Sequence, residues 1–236
     1  MNKIHFESID STNTYIKNNY LKLDNFTFVS ADNQTQGKGR MDRKWESDSG
    51  NLLFSILLKD QRYYDYINSI SIISSYTIIK VLEKYGIDNL YIKWPNDIYY
   101  KDNKLCGILL ESISTDKLEC LIIGVGLNVN QKIFDGNYIQ KPTSLINILN
   151  KEIDIDILKS KIYDEFINNL NLLINNLDFY NDINKYDYLA GKDVYALVNS
   201  VKTLVHVNGI NKDYTLCVNY ENTEYSINSG EISFHI

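Results

Sequence analysis

The sequence is poor in cysteine, histidine, proline and arginine, and it has no long apolar run. Its three cysteines, Cys106, Cys120 and Cys217, are scattered without metal-ligand spacing or the density of a disulfide framework. Three dispersed histidines predict neither a metal cluster nor a catalytic triad. No stretch is long enough to cross a membrane, and the first residues carry no apolar signal region. These absences exclude a membrane protein and favour a soluble, cytoplasmic protein whose thiols are free and buried.

Charge and size narrow the range of functions further. The chain has 236 residues, 44% of them hydrophobic, and a net charge of −6. That length is enough for one large domain, or for one domain followed by a small one. An acidic chain lacks the basic face that general nucleic-acid binding needs, so no nucleic-acid partner is expected. A local basic site is still compatible with this overall charge.

The scarce residues concentrate in one loop, residues 34–45. Arg40 and Arg43 lie there, two of only three arginines, beside two of the 11 glycines and one of the two tryptophans. An arginine fork grips carboxylate or phosphate oxygens at two points, and glycine lets backbone N–H groups approach an anion. The loop therefore predicts a clamp for a ligand that carries phosphate or carboxylate. A solvated basic loop is the alternative that this stretch alone leaves open.

Hydrophobic periodicity divides the rest of the chain into strands and helices. Ser11 or Thr12 is predicted to cap a first helix that ends near Leu21. Strands are predicted at 4–7, 26–31, 51–58, 90–94, 98–101, 105–111 and 118–125, and helices at 63–85, 144–150 and 156–179. From residue 191 the pattern becomes one of short strands with turns at 199–200, 208–209 and 229–230. This last region predicts a small β-barrel of about fifty residues.

Five short motifs, taken in order, resemble those of the biotin protein ligases. They are Ser-Thr-Asn at 11–13, the arginine loop, Lys-Trp-Pro-Asn-Asp at 93–97, Lys-Leu-Cys-Gly-Ile-Leu-Leu-Glu at 104–111, and Gly-Val-Gly-Leu-Asn at 124–128. The resemblance extends to Gly-Glu-Ile-Ser at 230–233, so it covers essentially the whole chain. Each motif is weak alone, whereas five in the family's order are specific.

This resemblance implies a fold and a reaction. The fold is α/β (α+β): a mixed, largely antiparallel sheet with packed helices, of the class II synthetase-like type, followed by a small SH3-like β-barrel. The implied domains are residues 1–187, which bind biotin and ATP, and residues 188–236. The implied enzyme uses ATP and Mg²⁺ to form biotinyl-5′-AMP from biotin. It then transfers biotin to one lysine of a biotin carboxyl carrier protein or domain, such as that of acetyl-CoA or pyruvate carboxylase. The sequence leaves a homodimer open.

The resemblance also assigns roles to single residues. Lys104 and Arg40 are the implied catalytic residues, although Lys104 also fits a simple turn lysine after Asp102-Asn103. The implied biotin contacts are Ser11, Thr12, Asn13, Gln34, Lys38, Gly39, Arg40, Lys104 and Gly107, and hydroxyl and amide groups suit a ureido ring. The implied ATP or adenylate contacts are Arg40, Arg43, Trp45, Asn96 and Asn128. No direct protein cluster for a metal is implied; Asn96 and Asp97 are implied to orient Lys104 or a metal-bound water, and Asp97 is the candidate metal contact. For Trp45, Asn96 and Asp97 a purely structural role stays an equal alternative.

Two departures from the family pattern stand in the loop. Lys38 replaces an arginine, which keeps the charge but loses the bidentate grip. Met41-Asp42 replaces a pair that ends in glycine. If that position needs a positive φ, Asp42 tolerates it better than most residues, but it also brings a negative charge into the clamp.

Two other functions stay open at this stage. A lipoate or octanoate ligase or transferase shares the architecture and the lysine chemistry. A non-catalytic regulator that senses biotin belongs to another class. A repressor's added helix-turn-helix domain is not expected, because the sequence begins almost directly at Ser-Thr-Asn.

Overall fold

The computed structural model describes residues 2–41, 43–46, 49–136, 138–198, 201–228 and 232–234. Asp42, the turns predicted at 199–200 and 229–230, and the first two residues of the Gly-Glu-Ile-Ser motif lie outside this range. Within the described residues the chain folds around one large and one small sheet.

The larger, N-terminal sheet has seven strands within the described residues. In sheet order they are β1 (Lys3–Ile9), β2 (Phe28–Gln34), β3 (Leu52–Leu58), β7 (Leu118–Leu127), β6 (Asn103–Ser114), β5 (Asp97–Tyr100) and β4 (Leu90–Lys93). β1 and β2 run parallel, and the other neighbouring pairs are antiparallel. The prediction of a mixed, largely antiparallel sheet is therefore confirmed.

Helices cover both faces of this sheet, which explains why all seven residues of β3 are buried. On one face, Ile16 of α1 (Thr12–Asn19) packs in a cluster with Leu57. On the other face, Phe54 contacts Phe166 of α4 (Ile155–Ile174) edge-on, and α2 (Ile67–Glu83) packs beside α4. Because successive strand residues alternate between faces, Ser55 points towards α1, like Leu57.

Several predicted boundaries are corrected by backbone geometry. The strand predicted from Phe26 begins two residues later, since Phe26 adopts a φ of 61°. The long C-terminal helix ends at Ile174 and not at Phe179, because Asn176 adopts a φ of 61°. A short α5 (Tyr180–Ile183) follows. The cap of α1 is Ser11, whose side chain accepts from the Thr14 N–H. The helix predicted at 144–150 is α3 (Leu145–Leu149).

A small antiparallel sheet forms the C-terminal part. Its order is β11 (Thr223–Ile227), β10 (Leu216–Tyr220), β9 (Val201–Ile210), β8 (Asp193–Val198) and β12 (Ser233–Phe234). β11 also lies close to β8, so the sheet curls on itself. The turn predicted at 208–209 is wrong, because both residues belong to β9. Gly209 takes a φ of 138° inside that strand, and the chain reverses at Tyr214 instead.

The two sheets share one hydrophobic core. Leu189, Val194 and Leu216 belong to the same buried cluster as Ile92 of β4. The Tyr188 N–H donates to the Ile92 carbonyl over 3.0 Å. The division of the chain between residues 187 and 188 stays a prediction, since the small sheet begins only at Asp193.

Candidate active site

A cleft opens where the N-terminus of α1, the arginine loop and the glycine-bearing strands β6 and β7 meet. It is lined by every predicted site residue except Asn128, that is by Ser11, Thr12, Asn13, Gln34, Lys38, Gly39, Arg40, Arg43, Trp45, Asn96, Asp97, Lys104 and Gly107. Gly124, Val125 and Gly126 of the fifth motif also line the cleft, so residues from all five motifs converge on one site. Their separation along the chain shows that the fold, and not local sequence, brings them together.

The arginine loop folds back on itself as a tight hairpin. The Gly39 N–H donates to the Arg43 carbonyl over 2.7 Å, and the Trp45 N–H donates to the Gly37 carbonyl over 2.9 Å. A Cβ on Gly37 would lie 2.5 Å from the Trp45 carbonyl oxygen, so this close approach requires glycine. At the tip, Met41 takes a φ of 55°. Asp42, for which a positive φ was considered, lies outside the described residues. Its neighbour Met41 is the residue that has a positive φ here.

Trp45 lies flat against two glycines that face each other across β6 and β7. Gly107 and Gly126 are register partners. A Cβ on Gly126 would lie 2.4 Å from the Trp45 ring, and one on Gly107 would lie 2.8 Å from it. The indole Nε1 is buried and finds no hydrogen-bond partner in the part of the chain that the structure describes. The glycine pair therefore makes room for an aromatic ring that carries an unused donor.

A group of hydrogen-bonded side chains lies at the N-terminus of α1. The Thr12 N–H donates to Gln34 Oε1 over 2.7 Å, which joins the first motif to the end of β2. Asn13 Nδ2 donates to Glu111 Oε2 over 2.7 Å. A Cβ on Gly124 would lie 2.3 Å from Asn13 Oδ1, so the second glycine motif makes room for this amide. Hydroxyl and amide groups are thus held at one end of the cleft.

The positive charges lie at the other end. Lys104 Nζ is 2.8 Å from Asp97 Oδ2, and both side chains are largely buried. The same Nζ lies 5.5 Å from the centroid of the Trp45 ring. Arg40 Nη1 donates to Asn96 Oδ1 over 3.1 Å, and Asn96 Nδ2 in turn donates to the Ile108 carbonyl. The turn at 93–97 therefore holds both cations that were predicted to be catalytic.

Asn128 is the predicted site residue that does not line the cleft. It is buried at the end of β7, where its Nδ2 donates to the Thr143 carbonyl over 2.9 Å. Its Oδ1 is buried and finds no partner among the described residues. The nucleotide contact stays a prediction, and an unused amide oxygen is compatible with it.

The cleft also contains residues to which sequence reasoning gave no role. Lys93 is 6% exposed and lines the cleft, although a buried lysine is rare. Ile139 and Gln140 line it from a segment that carries no motif, and Ile232 lines it from the Gly-Glu-Ile-Ser motif. Ser55 lies behind Thr12, 2.6 Å from its hydroxyl. Ser55 had a signal in the sequence, because it is a single polar residue in an otherwise apolar strand and a buried polar group needs a partner. Lys93 had one as the first residue of the Lys-Trp-Pro-Asn-Asp motif.

Burial determines the chemistry of the thiols. The three cysteines are free and buried, as predicted, and burial raises the pKa of the Cys106 thiol, which keeps it protonated and unreactive. The described residues contain no group of three or more His, Cys, Asp or Glu side chains that could hold a metal ion. Among the same residues, no helix is long and apolar enough to cross a membrane.

Comparison with known proteins places the chain in a family. The model of the biotin/lipoate A/B protein ligase family matches residues 5–128. The bifunctional ligase/repressor BirA of Escherichia coli is 36% identical over 123 residues, which cover 51% of this chain and 38% of BirA. The human biotin–protein ligase is 34% identical over 131 residues, which cover 51% of this chain and 16% of that protein. The chain thus spans less than half the length of these curated relatives.

The structural comparison covers nearly the whole chain. The biotin protein ligase from Aquifex aeolicus in complex with biotin and ATP superposes with a TM-score of 0.88 at 28% identity, over 98% of this chain and 97% of that one. This chain belongs to the biotin/lipoate A/B protein ligase family. Within that family, the human relative and the Aquifex structure are both biotin protein ligases. The resemblance inferred from the five motifs is confirmed.

Proposed function

We propose that this chain is an ATP-dependent ligase that forms biotinyl-5′-AMP and transfers biotin to one lysine of a biotin carboxyl carrier protein or domain. The observation that supports this most is the division of the cleft into two ends. Hydroxyl and amide side chains gather around Asn13 at one end, and two cations, Lys104 and Arg40, lie at the other. A ligand with a polar ring and a carboxylate tail fits that division.

The first step joins two anions. A biotin carboxylate oxygen attacks the α-phosphorus of ATP, the bond from that phosphorus to the β-phosphate bridging oxygen breaks, and pyrophosphate leaves. Fixed positive charge must meet the charge that develops on the phosphoryl oxygens. Lys104 is held ready by Asp97 at 2.8 Å, and Arg40 by Asn96 at 3.1 Å. Both cations can exchange these partners for substrate oxygens without leaving the cleft.

Mg²⁺ enters this proposal with the triphosphate. The ion usually binds through one or two carboxylates together with substrate phosphates, and it keeps several waters. Asp97 is the carboxylate that lines the cleft beside Lys104, so it suits such a contact through water.

The second step transfers the acyl group. The neutral ε-amine of the carrier lysine attacks the acyl carbon of the anhydride, AMP leaves with the bonding pair, and the amine loses a proton. The acceptor is the carrier of a biotin-dependent carboxylase, of the acetyl-CoA or pyruvate carboxylase type. Free buried thiols and the need for ATP suit the cytoplasm.

The test of this function is a mass measurement. The protein is incubated with ATP, Mg²⁺, an apo carrier domain and either biotin or lipoate, and the carrier is then weighed. We expect the mass of one biotinyl group with biotin and no change with lipoate. Lys104→Ala should slow the addition by about 100- to 1,000-fold, whereas Lys141→Ala, which changes an exposed lysine outside the cleft, should leave it unchanged. A lipoylated carrier would establish the alternative function instead.

A further inference from the structure

Four polar side chains form a continuous hydrogen-bonded chain behind the polar end of the cleft. Thr12 Oγ1 lies 2.6 Å from Ser55 Oγ, Ser55 Oγ lies 2.5 Å from Asn13 Oδ1, and Asn13 Nδ2 lies 2.7 Å from Glu111 Oε2. Ser55 is fully buried on β3, and neither it nor Glu111 lines the cleft. Thr12 and Asn13 do line it. Ser55 and Glu111 can therefore act on a ligand only through Thr12 and Asn13.

The direction of each hydrogen bond follows from the chemistry of Glu111. An ionised carboxylate only accepts, so the Asn13 amide must turn its NH₂ group towards Glu111 and its oxygen towards Ser55. Ser55 has a single hydroxyl proton, which it donates in a hydrogen bond to Asn13 Oδ1. The bond between Thr12 and Ser55 must then be donated by Thr12.

These hydrogen-bond directions determine what Thr12 and Gln34 can offer to a ligand in the cleft. The Thr12 hydroxyl has one proton and two acceptors within the protein, Ser55 Oγ at 2.6 Å and Gln34 Oε1 at 3.1 Å. Because that proton is used inside the protein, the hydroxyl can only accept a hydrogen bond from a ligand. Gln34 is fixed in a complementary way, because its Oε1 accepts from the Thr12 N–H and its NH₂ group is left to donate. An acceptor and a donor side by side suit a cyclic urea, which presents N–H beside C=O, whereas a dithiolane ring offers neither.

We propose that Ser55 and Glu111 are positioning residues that set the hydrogen-bond polarity of Thr12 and Asn13 for a ureido ring. The inference rests on the proposed function. A lost neutral hydrogen bond, at about 0.5–1.5 kcal/mol, corresponds to roughly a two- to twelvefold weaker affinity. The loss should fall on biotin alone, since the cations that face ATP lie at the other end of the cleft.

The experiment measures pyrophosphate release as a function of biotin and of ATP for four variants. Ser55→Ala and Glu111→Leu should raise the biotin KM about three- to tenfold, with kcat and the ATP KM within about twofold of wild type. Glu111→Gln should restore the biotin KM, because its Oε1 still accepts from Asn13. Ser112→Ala, an exposed neighbour of Glu111 on the same strand, is the matched control.

Each outcome supports or overturns the inference. A biotin-specific rise in KM that Gln rescues supports it. Two outcomes would overturn it and leave Ser55 and Glu111 a structural role alone. One is an unchanged biotin KM, and the other is a joint rise of the biotin and ATP KM values with a lower melting temperature. Should the wild-type protein release no pyrophosphate with biotin, the proposed function fails and this inference with it. If the wild-type protein releases pyrophosphate with biotin and the variants keep its biotin KM, this inference fails and the proposed function stands.

Discussion

Two glycines on β7 give a sharp test of how the cleft divides its ligands. Gly124 and Gly126 lie on the same side of the strand, but one faces Asn13 and the other faces Trp45. Adding one methyl group at each position therefore perturbs one end of the site at a time. Alanine is tolerated by the extended backbone of a strand, so each effect comes from contact rather than from strain.

The size of the perturbation follows from the geometry. In Gly124→Ala the new methyl carbon would lie 2.3 Å from Asn13 Oδ1, where about 3.5 Å is the closest comfortable separation. Asn13 must therefore move by about 1 Å, which breaks its 2.5 Å bond from Ser55. Overpacking of this kind costs about 1–3 kcal/mol, which corresponds to about a five- to 150-fold change in affinity. We expect that loss in the biotin KM, with the ATP KM little changed.

Gly126→Ala should do the reverse. Its methyl carbon would lie 2.4 Å from Cε2 and 2.6 Å from Nε1 of Trp45, so the indole must leave the glycine pair. We expect the ATP KM to rise over the same range and the tryptophan fluorescence to shift. Trp94, the other tryptophan, is buried and hydrogen-bonded elsewhere, so the change would report on Trp45.

The assay is pyrophosphate release with one substrate varied and the other saturating, beside a thermal melt of each variant. A melting temperature that falls in both variants, with both KM values affected alike, would show only that β7 is damaged. Crossed effects, with Gly124→Ala acting on ATP and Gly126→Ala on biotin, would refute the assignment of the two ends.

Three further outcomes are expected. Lys104→Ala should slow pyrophosphate release by about 100- to 1,000-fold, as loss of a fixed transition-state charge does elsewhere, while Lys141→Ala should leave it unchanged; a near-normal rate for Lys104→Ala would remove that residue from the chemistry. Arg40→Gly should still form the adenylate but release it, because a lost charge-assisted bond weakens retention by about ten- to a hundredfold; a biotin blot with albumin and no carrier detects the escape, and unlabelled albumin would contradict it. Burial raises the pKa of the Asp187 carboxyl above 3.8, and its Oδ2 lacks a partner among the described residues, so the charged form destabilises the fold as the pH rises through the raised pKa. Asp187→Asn should therefore raise the melting temperature at pH 7, and this gain should shrink as the pH is lowered towards 4; a gain independent of pH would contradict that origin.

The sequence was informative where one residue type alone suits a position. Arginine and glycine in the loop, and the lysine near the start of β6, line the cleft, and their contacts with biotin and ATP stay predictions. The rarity of these residues and the order of the motifs carried those predictions. Element boundaries were less well predicted. Asn176 adopts a left-handed conformation, and α4 ends five residues earlier than predicted. Gly209, where a turn was predicted, lies within β9.

Contacts between distant residues could not be predicted. Ser55 and Asn13 are 42 residues apart in the chain, and Asn13 and Glu111 are 98 apart. Gly107 was predicted to contact biotin, which stays a prediction; in this structure Gly107 and its register partner Gly126 accommodate the ring of Trp45. Nothing in local pattern reveals which side chain fills the space above a glycine, because that depends on how strands pair.

The small C-terminal sheet bears on the site through the turn at 93–97. Trp94 Nε1 donates to the Tyr214 carbonyl over 2.9 Å, and both residues are buried. The two residues that follow Pro95 in the same turn, Asn96 and Asp97, hold Arg40 and Lys104. A shift of the small sheet would therefore pull on the segment that positions both cations. Since the two sheets also share a core and Ile232 lines the cleft, the C-terminal part both supports the cleft and contributes to its lining.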